Sequence, residues 1–160
     1  MAVCMMLIGL PGSGKSTFRE NFLKDNKDEY VIVSLDDFVD EYASANNMNY
    51  SEAWSKMNMK DASKKMDQMF VDAINAEKNI IIDMTNMSVK SRKGKLSKLS
   101  EGYSKKAYVF IVPDNVLDER LKNREIQTGK SIPKFVITNM SRSYVAPSKD
   151  EGFDSITYIK

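Results

Sequence analysis

The sequence predicts an α/β fold, a three-layer sandwich with helices on both faces of a five-stranded parallel sheet. Three observations carry that prediction. β-rich runs recur at residues 3–8, 30–34, 79–83, 107–112 and 155–159, with helical segments between them. The first and third runs are apolar nearly throughout, as in strands buried on both faces. A glycine-rich turn at 9–16 joins the first run to the first helical segment. At 160 residues the chain suits a single domain with one core, spanning 1–160 and carrying a lid at approximately 114–132.

The first strand is Val3 to Ile8, and Gly9-Leu-Pro-Gly-Ser-Gly-Lys-Ser16 follows it directly. This octamer fits G-x-x-x-x-G-K-[ST], the phosphate-binding loop, and the apolar spacing of Phe18, Phe22 and Leu23 places a helix after it. Strand, glycine loop and helix together predict binding of a nucleoside triphosphate, ATP with Mg²⁺, on a P-loop sandwich. Gly9, Pro11, Gly12, Ser13, Gly14, Lys15, Ser16 and Thr17 are the candidate cofactor residues. In such loops inward N–H groups and the helix N-terminus cradle the phosphates. Lys15 then reaches the β- and γ-phosphates, and the Ser16 hydroxyl is a candidate Mg²⁺ ligand.

A charged turn is expected at 25–29, then a second strand over Tyr30–Ser34. It ends at Leu35-Asp36-Asp37-Phe38, two carboxylates at the edge where open α/β sheets bind ligands. Asp36 is the candidate general base toward a substrate hydroxyl, and either Asp can cap a helix expected from Phe38 to Ala45. The chain has no histidine, so acid–base work falls to carboxylates. Past a polar linker at Asn46–Tyr50, one long helix is expected from Ser51 to about Glu77, with apolar positions from Trp54 to Ile74 at three- and four-residue steps.

The third strand, Asn79–Asp83, delivers Asp83, Thr85 and Asn86 to the same edge as Asp36. Asp83 is a candidate to order Mg²⁺ and, with Asp36, Asp37, Thr85 and Asn86, to bind substrate; it can equally cap the helix that starts at Ser88. Ser88–Lys106 carries Lys90, Arg92, Lys93, Lys95, Lys98, Lys105 and Lys106 against Glu101, a basic run able to track a nucleic-acid backbone or to serve as a solvated helix face. A fourth strand, Ala107–Val112, stops at Pro113, and Asp114 is placed to cap the next helix. There Arg120 and Arg124 share a face, suited to a lid whose arginines bind the triphosphate and stabilise phosphoryl charge; surface ion pairing is the alternative. A turn at Thr128–Ser131, a helix from Pro133 to about Tyr144, a loop over Ala146–Phe153 and a strand at Ser155–Ile159 complete the chain.

Net charge of +2 argues for no class of partner by itself. The single cysteine, Cys4, excludes an internal disulfide and points to a reducing compartment. No apolar run approaches the ~20 residues of a membrane span, and the apolar N-terminus lacks a basic region before it, so a cytoplasmic protein is expected.

The assembled motifs resemble the kinase domain of bacteriophage-type 5′-polynucleotide kinases, among the small P-loop kinases. The resemblance rests on Gly9–Thr17, Leu35-Asp36-Asp37-Phe38, Asp83-Met84-Thr85-Asn86, Arg120 and Arg124 upstream of Ile132-Pro133, and Glu151-Gly152-Phe153-Asp154. It implies transfer of the ATP γ-phosphate to a 5′-hydroxyl of DNA or RNA, with Asp36 as base and Lys15 and Arg124 neutralising phosphoryl charge. In that family an arginine three residues after the base holds the acceptor's 3′-phosphate; here that position is Val39. Acceptor binding then comes from other residues, or the acceptor is a small-molecule alcohol such as a nucleoside or nucleotide. A nucleotide-dependent binding module without catalysis is the third reading. The phage enzymes commonly continue into a phosphatase domain, whereas this chain stops at Lys160, so a kinase alone is expected, in host cytoplasm if phage-encoded.

Overall fold

Five strands pair in parallel in the order β2-β3-β1-β4-β5 in a computed structural model that describes residues 1–26 and 28–160. They are β1 (Val3–Ile8), β2 (Tyr30–Val33), β3 (Asn79–Asp83), β4 (Ser104–Phe110) and β5 (Ser155–Ile159). The helices are α1 (Lys15–Asp25), α2 (Leu35–Ala45), α3 (Tyr50–Lys56), α4 (Met59–Asn75), α5 (Val89–Leu96), α6 (Asp114–Thr128) and α7 (Lys134–Ser143).

β1 is central because its side chains are apolar in both directions. Cys4, Met6 and Ile8 pack toward Phe70 and Ala73 of α4 and Leu96 of α5. Met5 and Leu7 face the opposite way, toward Phe18 and Phe22 of α1. Burying each such side chain contributes about 1.5–3 kcal/mol, so the central strand is the firmest part of the fold. β1 lies between β3 and β4, the point where strand order reverses, and its C-terminal end opens into the glycine loop. That reversal is where doubly wound sheets form their ligand crevice.

Several boundaries differ from expectation. The long helix is two helices: Met57 and Asn58 are extended, and the Asn58 side chain accepts from Asp61 N, starting α4 afresh. α3 opens with a capping box between Asn49 and Glu52. α2 begins at Leu35 because Ser34, not an aspartate, caps it by accepting from Asp37 N. Asp36 and Asp37 therefore sit inside the first turn, where the helix dipole favours acids. β4 starts at Ser104, paired with Val3, and ends at Phe110, three residues earlier at its start than expected. Pro113, not Asp114, occupies the N-cap of α6. The loop before β5 contains a 3-10 turn at Lys149–Glu151. The charged turn expected at 25–29 includes Lys27, which lies outside the described residues.

Candidate active site

Between β1 and α1 the chain turns through two left-handed glycines, Gly12 at φ +82° and Gly14 at φ +106°. Gly14 is the N-cap of α1, so no side chain takes up the helix's first N–H groups, and no acid occupies its first turn. The positive end of the helix dipole thus faces the loop. Lys15 Nζ folds back to donate to the Gly9 carbonyl at 2.5 Å and the Leu10 carbonyl at 3.1 Å. Burial lowers its pKa to about 8, against the nearby Asp83 and Asp36 carboxylates. Ser13 Oγ is buried with no partner among the described residues. Uncapped N–H groups, an orphaned hydroxyl and a buried lysine, with no acid among them, fit a chain of phosphates.

α6 lies over this loop, where Arg120 Nη1 donates to the Gly12 carbonyl at 3.2 Å. Arg124, one turn on and half-buried, places its charge near Lys15 and Asp36. Ser16 and Thr17 are exposed at the start of α1. Pro11 lies on the loop's other side, lining a cleft shared with Asp36 and Thr85.

The three carboxylates converge at the sheet edge but are held differently. Arg19 of α1 bridges two of them, donating to Asp83 Oδ2 at 2.9 Å and Asp37 Oδ1 at 3.2 Å. Burial raises the pKa of Asp83 despite Arg19 and Lys15. Ser16 at the start of α1 and Asp83 at the end of β3 are the side chains that could offer oxygens to a divalent cation; among the described residues no cluster of three or more His, Cys, Asp or Glu side chains does so. A site of that kind fits Mg²⁺, which keeps waters and substrate phosphates as its other ligands.

Asp36 has both oxygens engaged. Oδ1 accepts from Tyr50 Oη at 2.5 Å and Oδ2 from Lys130 Nζ at 2.9 Å. Burial pushes its pKa up, but the Lys130 charge and the hydrogen bonds from Tyr50 and Lys130 outweigh it and hold the carboxylate below its ordinary range. Burial, then Asp36 itself, drives the Tyr50 phenol strongly upward, so Tyr50 stays a donor. Lys130 Nζ also sits 4.1 Å from the centre of the Tyr50 ring.

The turn after α6 delivers Lys130. Gly129 adopts φ +71°, and a Cβ there would meet Asn49 Nδ2 at 2.7 Å. Ser51 Oγ donates to the Gly129 carbonyl at 2.6 Å and accepts from Ser131 N at 3.1 Å. The turn after α6 is thereby fastened to the first turn of α3.

Two expectations change. Asn86 is buried, its amide donating to the Leu7 carbonyl at 2.7 Å and the Met84 carbonyl at 3.2 Å while its oxygen accepts from Lys95. It pins the loop after β3 rather than facing an acceptor. That loop also abuts the glycine turn, since Gly9 N donates to the Thr85 carbonyl at 3.0 Å. In the basic run, Arg92 is fully buried against Glu151 at 2.7 Å and the carbonyls of Asn86 and Met87 at 3.0 and 2.9 Å. Lys95 is turned inward as well, leaving Lys90, Lys93 and Lys98 exposed on and just after α5.

A cleft of about 490 Å³ opens beside Asp36 and Lys130. Tyr50 and Trp54 of α3 line it on one side; Ile132, Pro133, Val136 and Met140 line it from the lid turn and α7. Sequence reasoning missed Arg19, Tyr50 and Lys130. None lies in a motif, and Lys130 is 94 residues from the carboxylate it contacts.

Comparison with known proteins agrees with this geometry. The AAA domain family profile matches residues 4–147. Mouse heterogeneous nuclear ribonucleoprotein U-like protein 2 is 24% identical over 157 residues, covering 96% of this chain and 21% of that protein. An Acanthamoeba polyphaga mimivirus protein, provisionally named a bifunctional polynucleotide phosphatase/kinase, is 27% identical over 160 residues, covering 97% of this chain and 32% of that one. The chain thus spans about a fifth to a third of these curated relatives. Among solved structures, a chain of the Pnkp1/Rnl/Hen1 RNA repair complex superposes with a TM-score of 0.69 at 27% identity, over 89% of this chain and 43% of that one. A gluconokinase from Sinorhizobium meliloti, at 13% identity and TM-score 0.57 over 98% of this chain and 81% of that one, shares the fold. The chain belongs to the AAA domain family and is built as a P-loop kinase.

Proposed function

We propose that this chain transfers the ATP γ-phosphate to the 5′-hydroxyl of a DNA or RNA end. The observation that carries the reading is Asp36, an ionised carboxylate beside the phosphate loop and at the edge of an open cleft. ATP would supply the phosphoryl group with ADP as leaving group, and Ser16 and Asp83 would hold Mg²⁺, which when bound would neutralise charge on the phosphates. The chain's own residues do the rest. Asp36 accepts the hydroxyl proton as the acceptor oxygen bonds to phosphorus and the bond to the bridging oxygen breaks. Lys15, Arg120 and Arg124 place positive charge around the transferring group. The lid spans 114–132, with Arg120 toward the phosphate loop and Lys130 toward the base.

Nucleic acid as acceptor is supported by what two relatives are called, an RNA repair complex and a polynucleotide phosphatase/kinase. The second reading, a kinase of a small-molecule alcohol, is favoured by Val39: it is fully buried among Ala43 and Ala53 and presents no cation to a 3′-phosphate.

The test uses γ-labelled ATP and Mg²⁺ with 5′-hydroxyl DNA and RNA oligonucleotides, nucleosides and gluconate. Label on oligonucleotide 5′ ends is expected, falling by roughly a thousandfold or more in Lys15→Ala. Label confined to gluconate would establish the second reading instead.

A further inference from the structure

Among the described residues, the lining of the cleft beside Asp36 holds two ionised side chains, Asp36 and Lys130, and they neutralise each other at 2.9 Å. Its remaining lining is aromatic, aliphatic or hydroxylic; just beyond the lining Arg124 and Asp40, one charge of each sign, also act on Tyr50, so the cleft wall itself offers no free cation to a phosphate. On the α3 side, the Tyr50 and Trp54 rings lie with centroids 6.0 Å apart and planes 30° from parallel. Lys130 faces the Tyr50 ring, whereas Trp54 is 44% exposed, a large aromatic surface left uncovered. Opposite stand Ile132, Pro133, Val136 and Met140. A slot with an aromatic platform, an aliphatic counter-wall and no net charge suits a flat, uncharged ring, and its volume of about 490 Å³ is that of a small-molecule site.

We infer that this cleft is a base-binding subsite: it takes the terminal nucleobase of the acceptor, stacked on Trp54, so that recognition runs through the base rather than through a 3′-phosphate. This rests on the nucleic-acid reading above and sharpens it. Base and hydroxyl belong to one nucleoside, and the platform and Asp36 line one cleft, so seating the base brings the 5′-hydroxyl to the carboxylate. Base–aromatic stacking tolerates all four bases, which predicts an acceptor site of low sequence preference. It also accounts for Val39: with the base as handle, the acceptor needs no cation at that position.

Trp54 is the chain's single tryptophan, so its fluorescence reports on the cleft without any turnover. Adenosine and thymidine are expected to quench it saturably, and ribose at the same concentration to leave it unchanged. In the transfer assay, adenosine and adenosine 3′-monophosphate should differ in kcat/KM by less than about threefold. An oligonucleotide with an abasic 5′ nucleotide should lose roughly tenfold or more relative to its base-bearing twin. Trp54→Ala should raise the acceptor KM about tenfold at nearly constant kcat, and Trp54→Phe should restore most of it. Transfer to abasic and base-bearing ends at equal rates, or a large gain from the 3′-phosphate, would overturn the subsite while leaving the kinase reading intact. Quenching by nucleosides without transfer to any 5′-hydroxyl would support the subsite and overturn the kinase reading.

Discussion

Asp36 shows how little of a candidate catalytic carboxylate lies in its own residue. As the second residue of α2 it is an ordinary helix-start acid; what sets it apart is the pair of donors that hold it ionised, the state its proposed role as base requires. Lys130 and Tyr50 favour the charged form, so their pairing with Asp36 stabilises the fold above the ordinary carboxylate range of about 4 and is lost as pH falls through and below it. Removing the ammonium reverses part of that preference. Lys130→Met is therefore expected to move the acid limb of the kcat/KM profile to higher pH, as the carboxylate binds its proton more readily. An unmoved limb would mean another group sets it. The places of Lys15 and Asp36 just past strand ends are legible in the sequence, because each has a recognisable neighbour pattern. Those of Tyr50 and Lys130 are not, since nothing in a helix-start tyrosine or a post-glycine lysine announces a partner far along the chain.

At the scale of elements, α6 with the turn after it, and the C-terminal turn, each tie distant parts of the candidate site together. α6 touches the phosphate loop through Arg120, and the turn just past its end touches Asp36 through Lys130, so one stretch of chain reaches both the glycine loop and the carboxylate of the proposed acceptor side. Behind the site, Arg92 of α5 binds Glu151 and the Asn86 and Met87 carbonyls, bracing the loop whose Thr85 carbonyl meets Gly9. Neither side chain of that pair exceeds 5% exposure. Glu151→Gln leaves a buried guanidinium without its counter-charge and is expected to cost about 3–5 kcal/mol in urea-induced unfolding. A change below about 1 kcal/mol would show that the pair is dispensable. The sequence reading treated Arg92 as one basic residue in a surface run, because charge density along a chain does not reveal which side chain turns inward. It also ran α3 and α4 together: the apolar spacing carries across Met57, and the break depends on Asn58 turning back to cap Asp61.

At the scale of the molecule, the parallel sheet was the most legible feature. β1, β3 and β5 have the bounds their residue patterns predicted: β1 and β3 are buried strands written in uninterrupted apolar runs, while β5, a half-exposed edge strand, shows as a short β-branched and aromatic run. β4 was misplaced because Ser104-Lys105-Lys106 pair with β1 through backbone groups, which carry no side-chain signal. The resulting order puts the glycine loop, Asp36, Asp83 and α6 around one crevice, and the proposal rests on that convergence: phosphate would pass from ATP to a 5′-hydroxyl with Asp36 taking the proton. The most direct test compares wild type with Asp36→Ala in single-turnover transfer from γ-labelled ATP to a 5′-hydroxyl oligonucleotide, with the ATP-induced rise in Tm measured on both. Transfer in the variant is expected to fall by roughly 10²–10⁴-fold while the Tm rise persists, since the base is removed and the phosphate cradle is not. Transfer at the wild-type rate in Asp36→Ala would contradict the account and move the proton to Asp37 or Asp83.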